Sequence, residues 1–111
     1  MIKRIIFLNF ILLFLITGCS KPNKVVVTSH VNGDVVSEIT TITCEPFEES
    51  EISKVKLFID GEDQNVNDDT SPWALKWNTI NYEDNSEHIL NVLAFGPDGD
   101  STFSDTLKLI V

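Results

Sequence analysis

Hydrophobic and polar positions are arranged differently in the two parts of this chain. Ile5 to Ile16 is an almost unbroken apolar run, interrupted only by Asn9 and preceded by Lys3 and Arg4. From Lys24 onward the apolar residues alternate with polar ones instead, and no stretch carries a helical period. Val25 to Ser29 is a β-branched run ended by the turn cluster Asn32-Gly33-Asp34. Val35 to Glu45 reads as a strand with Thr40, Ile42 and Cys44 on one face. Lys54 to Asp60 points Val55, Leu57 and Ile59 inward and ends in an Asp60-Gly61 turn. Trp73 to Trp77 puts Trp73, Leu75 and Trp77 on one face, and Glu87 to Phe95 does the same with Leu90, Val92 and Ala94. After the turn Pro97-Asp98-Gly99-Asp100, Thr106 to Val111 closes with Leu107, Leu109 and Val111 alternating. About seven short strands with regular turn signals predict an all-β antiparallel sandwich, with a compact barrel as its rival.

The N-terminal run has a different meaning. At about a dozen residues it is too short to span a bilayer as a permanent helix, which takes about 20. A charged start, a short apolar stretch and small residues at its end are the layout of a cleavable secretory signal. Ile16-Thr17-Gly18-Cys19 resembles the bacterial lipobox, in which the cysteine sulfur receives a diacylglycerol and the chain is cut before it. That resemblance implies a covalent diacylglycerol, with or without an N-acyl chain, on Cys19. Two or more acyl chains hold a protein to a membrane stably where one does not. The predicted organisation is therefore a signal peptide over 1–18, a lipidated cysteine and short tether over 19–23, and one β domain over 24–111. Ser20 after Cys19 resembles outer-membrane sorting in enteric-type bacteria.

Composition sharpens this. Without residues 1–18 the chain has 93 residues, with six basic against 17 acidic side chains, a net charge of −11. Such a domain is repelled by nucleic acid, so nucleic acid is excluded as a partner. With Cys19 lipidated, Cys44 has no partner in the chain, and its strand position predicts a buried free thiol rather than a disulfide.

Four blocks carry a family resemblance: Lys54 to Gly61, Ser71-Pro72-Trp73 to Trp77-Asn78-Thr79, Glu87-His88-Ile89-Leu90, and Pro97 to Asp100. In order and spacing they resemble bacterial immunoglobulin-like domains over nearly the whole chain after residue 23. The sequence departs from that pattern at Asn85-Ser86-Glu87, at Gly96 and at Asp100. The resemblance implies a Greek-key sandwich with adhesive or spacer roles and no catalytic residues.

Candidate chemistry is sparse. His30 and His88 have no neighbours at metal-ligand spacing, and structural zinc wants four Cys or His ligands. In the family pattern His88 simply begins a strand. Asp68, Asp69, Asp98, Asp100 and Asp105 offer oxygens for calcium, but the rest of an EF-hand loop is missing and solvated acidic loops are the preferred reading. Trp77 reads as core, which leaves Trp73 as the ring for stacking on a sugar. No serine, cysteine or carboxylate occurs in a nucleophile motif. No catalytic residue, metal site or resident cofactor is assigned. If Leu90, Val92 and Ala94 face inward, Ile89, Leu93 and Phe95 face outward, with Phe58 and Ile110 on neighbouring strands. These five form a candidate partner surface, unless lysine stems such as Lys56 and Lys108 cover it. The expectation is a non-enzymatic, lipid-anchored envelope module for adhesion, protein contact or spacing. The alternative is a carbohydrate- or calcium-binding module.

Overall fold

The computed structural model describes residues 22–111, so the lipobox residues Ile16, Thr17 and Gly18 and the lipidation residue Cys19 lie outside the described part. Eight strands follow: β1 (Val25–Val27), β2 (Ile39–Pro46), β3 (Lys54–Ile59), β4 (Glu62–Asp68), β5 (Trp73–Asn78), β6 (Glu87–Phe95), β7 (Ser101–Phe103) and β8 (Leu107–Ile110). One sheet has the order β1-β2-β5; the other has the order β4-β3-β6-β7, with β8 also pairing with β6. Every strand pair is antiparallel. The chain changes sheet between β2 and β3, between β4 and β5, and again between β5 and β6. This is a Greek-key sandwich.

Period-two alternation builds the core. Burial in β5 runs buried–exposed throughout, and β3 and the second half of β6 keep the same rhythm. Ile42, Cys44, Trp73, Leu75 and Trp77 from the first sheet meet Val55, Leu57, Ile59, Leu90, Val92, Ala94 and Leu109 from the second. Trp77 is the largest of the fully buried side chains. The thiol of Cys44 is free and buried, as its strand position predicts.

Two strands lie where hydrophobic pattern gives no signal. In β4, Glu-Asp-Gln-Asn-Val-Asn-Asp, only Val66 packs against the core. Its pairing with β3 shifts register between Lys56 and Phe58, opposite Asn65 at φ 57°. β7 has three residues, and the buried Ser104 separates it from β8. The Ser104 hydroxyl accepts the Val92 amide at 2.9 Å, so this break in the sheet edge keeps its hydrogen bonds. The expected strand Val35 to Glu45 is also split. Val35 bridges Ile110 in the second sheet, and Glu38, at φ 56°, turns the chain into β2.

Candidate functional site

Facing residues in an antiparallel pair share a side of the sheet, so the register fixes which side chains meet on the outer face of the five-stranded sheet. Phe58 lies opposite Asn91, Lys56 opposite Leu93, and Lys54 opposite Phe95. Leu93 also faces Phe103, Ile89 faces Lys108, and Ile110 faces Glu87. Phe58, Ile89, Leu93, Phe95 and Ile110 therefore do share one face. They are not equally open. Phe58, Leu93, Phe95 and Ile110 are half-buried, and Ile89 is 36% exposed.

Lysine cover is selective. The Lys54 ammonium sits 5.0 Å from the Phe95 ring centroid, a cation–π contact. Lys56 instead reaches Asp63 at 3.1 Å. The most open ring of the face is Phe103, 49% exposed and packed edge-on against Phe58 with centroids 5.1 Å apart. Sequence reasoning missed it because β7 is three residues long and lacks an alternating pattern. Phe58 and Phe103, with Gly61, Asn91, Ser104 and Thr106, line a shallow depression of about 470 Å³. A second groove of about 290 Å³ runs beside β1, lined by Val25, Val27, His30 and Leu107 among others.

Trp73 corrects an expectation. It is 7% exposed and lies opposite Cys44 in the core. The alternation that turns Leu75 and Trp77 inward turns Trp73 inward as well, and the neighbouring Pro72 does not change that parity. A ring held there has no free face for a sugar.

The candidate calcium ligands are occupied by local structure. Asp68 accepts the amides of Thr70 and Ala74, Asp98 accepts that of Asp100, and Asp105 pairs with Lys24 at 3.3 Å. Among the described residues no three His, Cys, Asp or Glu side chains converge as a metal site.

One polar constellation went unseen in the sequence. Asp60 and Gly61 form the two-residue tip of the β3–β4 hairpin, at φ 53° and 82°, a type I′ turn. The tip places the Asp60 carboxylate over the start of β6, where it accepts the Ile89 amide at 2.9 Å and lies 2.6 Å from His88 Nδ1. The other ring nitrogen, Nε2, is 2.8 Å from Ser86 Oγ. His88 shares the inward parity of Leu90 and packs nearly perpendicular to Trp77 and Tyr82, with centroids at 6.1 and 4.6 Å. Trp77 Nε1 is buried there with no hydrogen-bond partner among the described residues. Burial pulls the Asp60 carboxyl upward, but the His88 hydrogen bond, the Ile89 amide and the His88 charge together bring it below its ordinary value.

Ser86, His88 and Asp60 are ordered like a Ser-His-Asp triad. The surroundings differ from those of a nucleophile. Ser86 Oγ donates to the Glu83 carbonyl at 2.5 Å, and none of the cavities described above lies beside it. The three residues pin a hairpin tip and a loop onto β6.

The architecture defines an immunoglobulin-like sandwich, with one three-stranded sheet and one sheet built around β3 and β6. The chain belongs to the bacterial Ig domain family, whose model matches residues 24–92. Immunoglobulin-like and fibronectin-III-like domains are typically non-catalytic modules. Among solved structures, the fibronectin(III)-like modules of Clostridium thermocellum CbhA are similar at TM-score 0.61 and 24% identity, covering 78% of this chain and 94% of that one. The endo-beta-1,4-mannanase from Thermotoga petrophila is similar at TM-score 0.61 and 13% identity, covering 86% of this chain and 21% of that one. At these identities both show the fold alone. No curated protein matches the chain.

Proposed function

We propose that this chain is a non-enzymatic, lipid-anchored module of the bacterial envelope that works by protein contact, in adhesion, assembly or spacing. The observation that supports contact is the outer face of the five-stranded sheet, where Leu93 lies opposite Phe103 and Phe103 packs edge-on against Phe58, an apolar cluster on an otherwise strongly acidic domain. Exposed apolar area of this kind is costly in water unless something covers it for part of the time. The anchor is supported by the signal and lipobox ending at Cys19, only a few residues before β1. At about 3.3 Å per residue the tether spans under about 20 Å, which keeps the domain near its membrane.

Two measurements test the two halves of this reading. Incorporation of labelled palmitate into the wild-type chain, lost in Cys19→Ala, is the expected result for the anchor; equal labelling of the variant overturns it. For the contact face, Phe103→Asp and Leu93→Asp are expected to abolish co-purification of an envelope protein while the β circular dichroism stays unchanged. Unchanged co-purification removes this face from the function. The burial of Trp73 takes from the sugar-binding alternative the ring it relied on.

A further inference from the structure

Ser86 has one hydroxyl proton and two neighbours that could take it, the Glu83 carbonyl at 2.5 Å and His88 Nε2 at 2.8 Å. Asp60, an ionised carboxylate, accepts a hydrogen bond from Nδ1–H at 2.6 Å in either charge state of His88. When the ring is doubly protonated, Nε2–H donates to Ser86 Oγ and the hydroxyl is free to donate to Glu83. All three hydrogen bonds are then made. When the ring is neutral, Nε2 carries a lone pair, and Ser86 must choose between it and Glu83. One bond is lost.

We propose that Ser86, His88 and Asp60 form a protonation-controlled clasp at this end of the sandwich. A proton on His88 releases the Ser86 hydroxyl to Glu83 and tightens the 83–86 turn. That turn is already closed by the Ser86 amide donating to Glu83 at 3.2 Å. It also holds the end of the last strand: the Asn85 amide donates to Val111 at 2.8 Å and the Val111 amide to Ser86 at 2.9 Å. The proton thus links three segments, namely the β3–β4 tip through Asp60, the β5–β6 loop through Ser86, and the end of β8 through Val111. The ring is not sealed from solvent, its side chain being 14% exposed.

Asp60 and Tyr82 are the titratable groups that touch His88, and the other charged groups are its neighbours along the chain. Asp60 comes from the hairpin tip, Tyr82, Glu83 and Asp84 from the β5–β6 loop, and Glu87 from its own strand, with Lys108 paired to Glu87 at 4.0 Å on β8. Trp77 on β5 and Leu109 opposite on β8 carry no charge. Of these side-chain types only histidine ordinarily changes charge between pH 5 and 8.

The test uses the full chain, isotope-labelled and held in detergent micelles, followed by NMR from pH 5 to 8. The amides of Asn85, Ser86 and Val111 are expected to titrate with the same midpoint as the His88 ring. After correction for intrinsic exchange, Asn85 and Val111 are expected to be about fivefold better protected at the acid end, the effect of one hydrogen bond. In Ser86→Ala the ring still titrates and that difference disappears. In His88→Gln, which keeps a permanent side-chain donor, protection no longer depends on pH. Protection that is independent of pH in the wild type, or a pH dependence that survives in Ser86→Ala, overturns the clasp.

Discussion

Cys44 shows how far one residue's surroundings fix its chemistry. It is 3% exposed, lies between Val27 of β1 and Trp73 of β5, and has no disulfide partner among the described residues. Burial, followed by the nearby charge of Asp68, pushes its thiol up to about 11. The thiolate is the reactive form, so Cys44 stays inert at neutral pH. Iodoacetamide is expected to leave the Cys44 peptide unmodified in the folded chain and to label it once urea unfolds the domain; equal labelling in both states contradicts the burial. The raised value also carries a stability consequence. The unfolded chain releases this proton near pH 9, its ordinary range, while the folded chain holds it to about 11. Stability from this group is full below pH 9 and falls as pH rises from 9 toward 11, and urea midpoints in Cys44→Ala should lose that alkaline slope. Asp60 has the opposite sign. Its folded value is lowered, so its contribution is present above the ordinary 3.8 and is lost as pH falls below it. Asp60→Asn is expected to cost about 1 kcal/mol near neutral pH and to flatten the acid limb of the stability profile, a modest figure because the side chain is 47% exposed.

At the scale of elements, the β3–β4 hairpin carries the most consequence, because its tip aims Asp60 at β6. Gly61 sits at φ 82°, and an added Cβ there meets nothing within 4 Å. Gly61→Ala therefore introduces backbone strain without a clash and is expected to lower stability by about 1 kcal/mol in urea titration. A neutral result would mean that the tip relaxes out of its type I′ turn. The strong strands were legible in the sequence because their cores alternate: Val55-Leu57-Ile59, Trp73-Leu75-Trp77 and Leu90-Val92-Ala94 read directly as inner faces. The rest was not legible, for separate reasons. β4 is an acidic edge strand with one inward valine, so pairing with β3 rather than hydrophobic period makes it a strand. Val35 and Val36 continue an apolar run in sequence but belong to a bridge with β8, since Glu38 redirects the chain. Trp73 was expected to be exposed although its own parity turns it inward. The Asp60–His88 contact joins residues 28 apart and emerges only once Ile59 is paired with Leu90.

Over the whole molecule, charge is unevenly placed. Residues 22–111 hold all 17 acidic side chains against five lysines, and three of those, Lys54, Lys56 and Lys108, lie on the outer face of the five-stranded sheet. The described ion pairs are exposed or partly so: Lys24–Asp105, Lys56–Asp63 and Lys108–Glu87, with His88–Asp60 at the clasp. Such surface pairs contribute little each. Repulsion among the excess carboxylates acts over the whole surface and weakens the folded state. Salt screens both, with a Debye length near 10 Å at 0.1 M, but it relieves many repulsions while weakening few attractions. The midpoint of urea unfolding, urea being uncharged, should therefore rise as sodium chloride increases from about 0.02 to 0.3 M. A midpoint that falls instead would mean that the lysine pairs, and the clasp at Asp60, outweigh the repulsion. Repeating the titration with Lys56→Gln should steepen that rise, because the variant loses the Asp63 pair and leaves the domain one unit more negative.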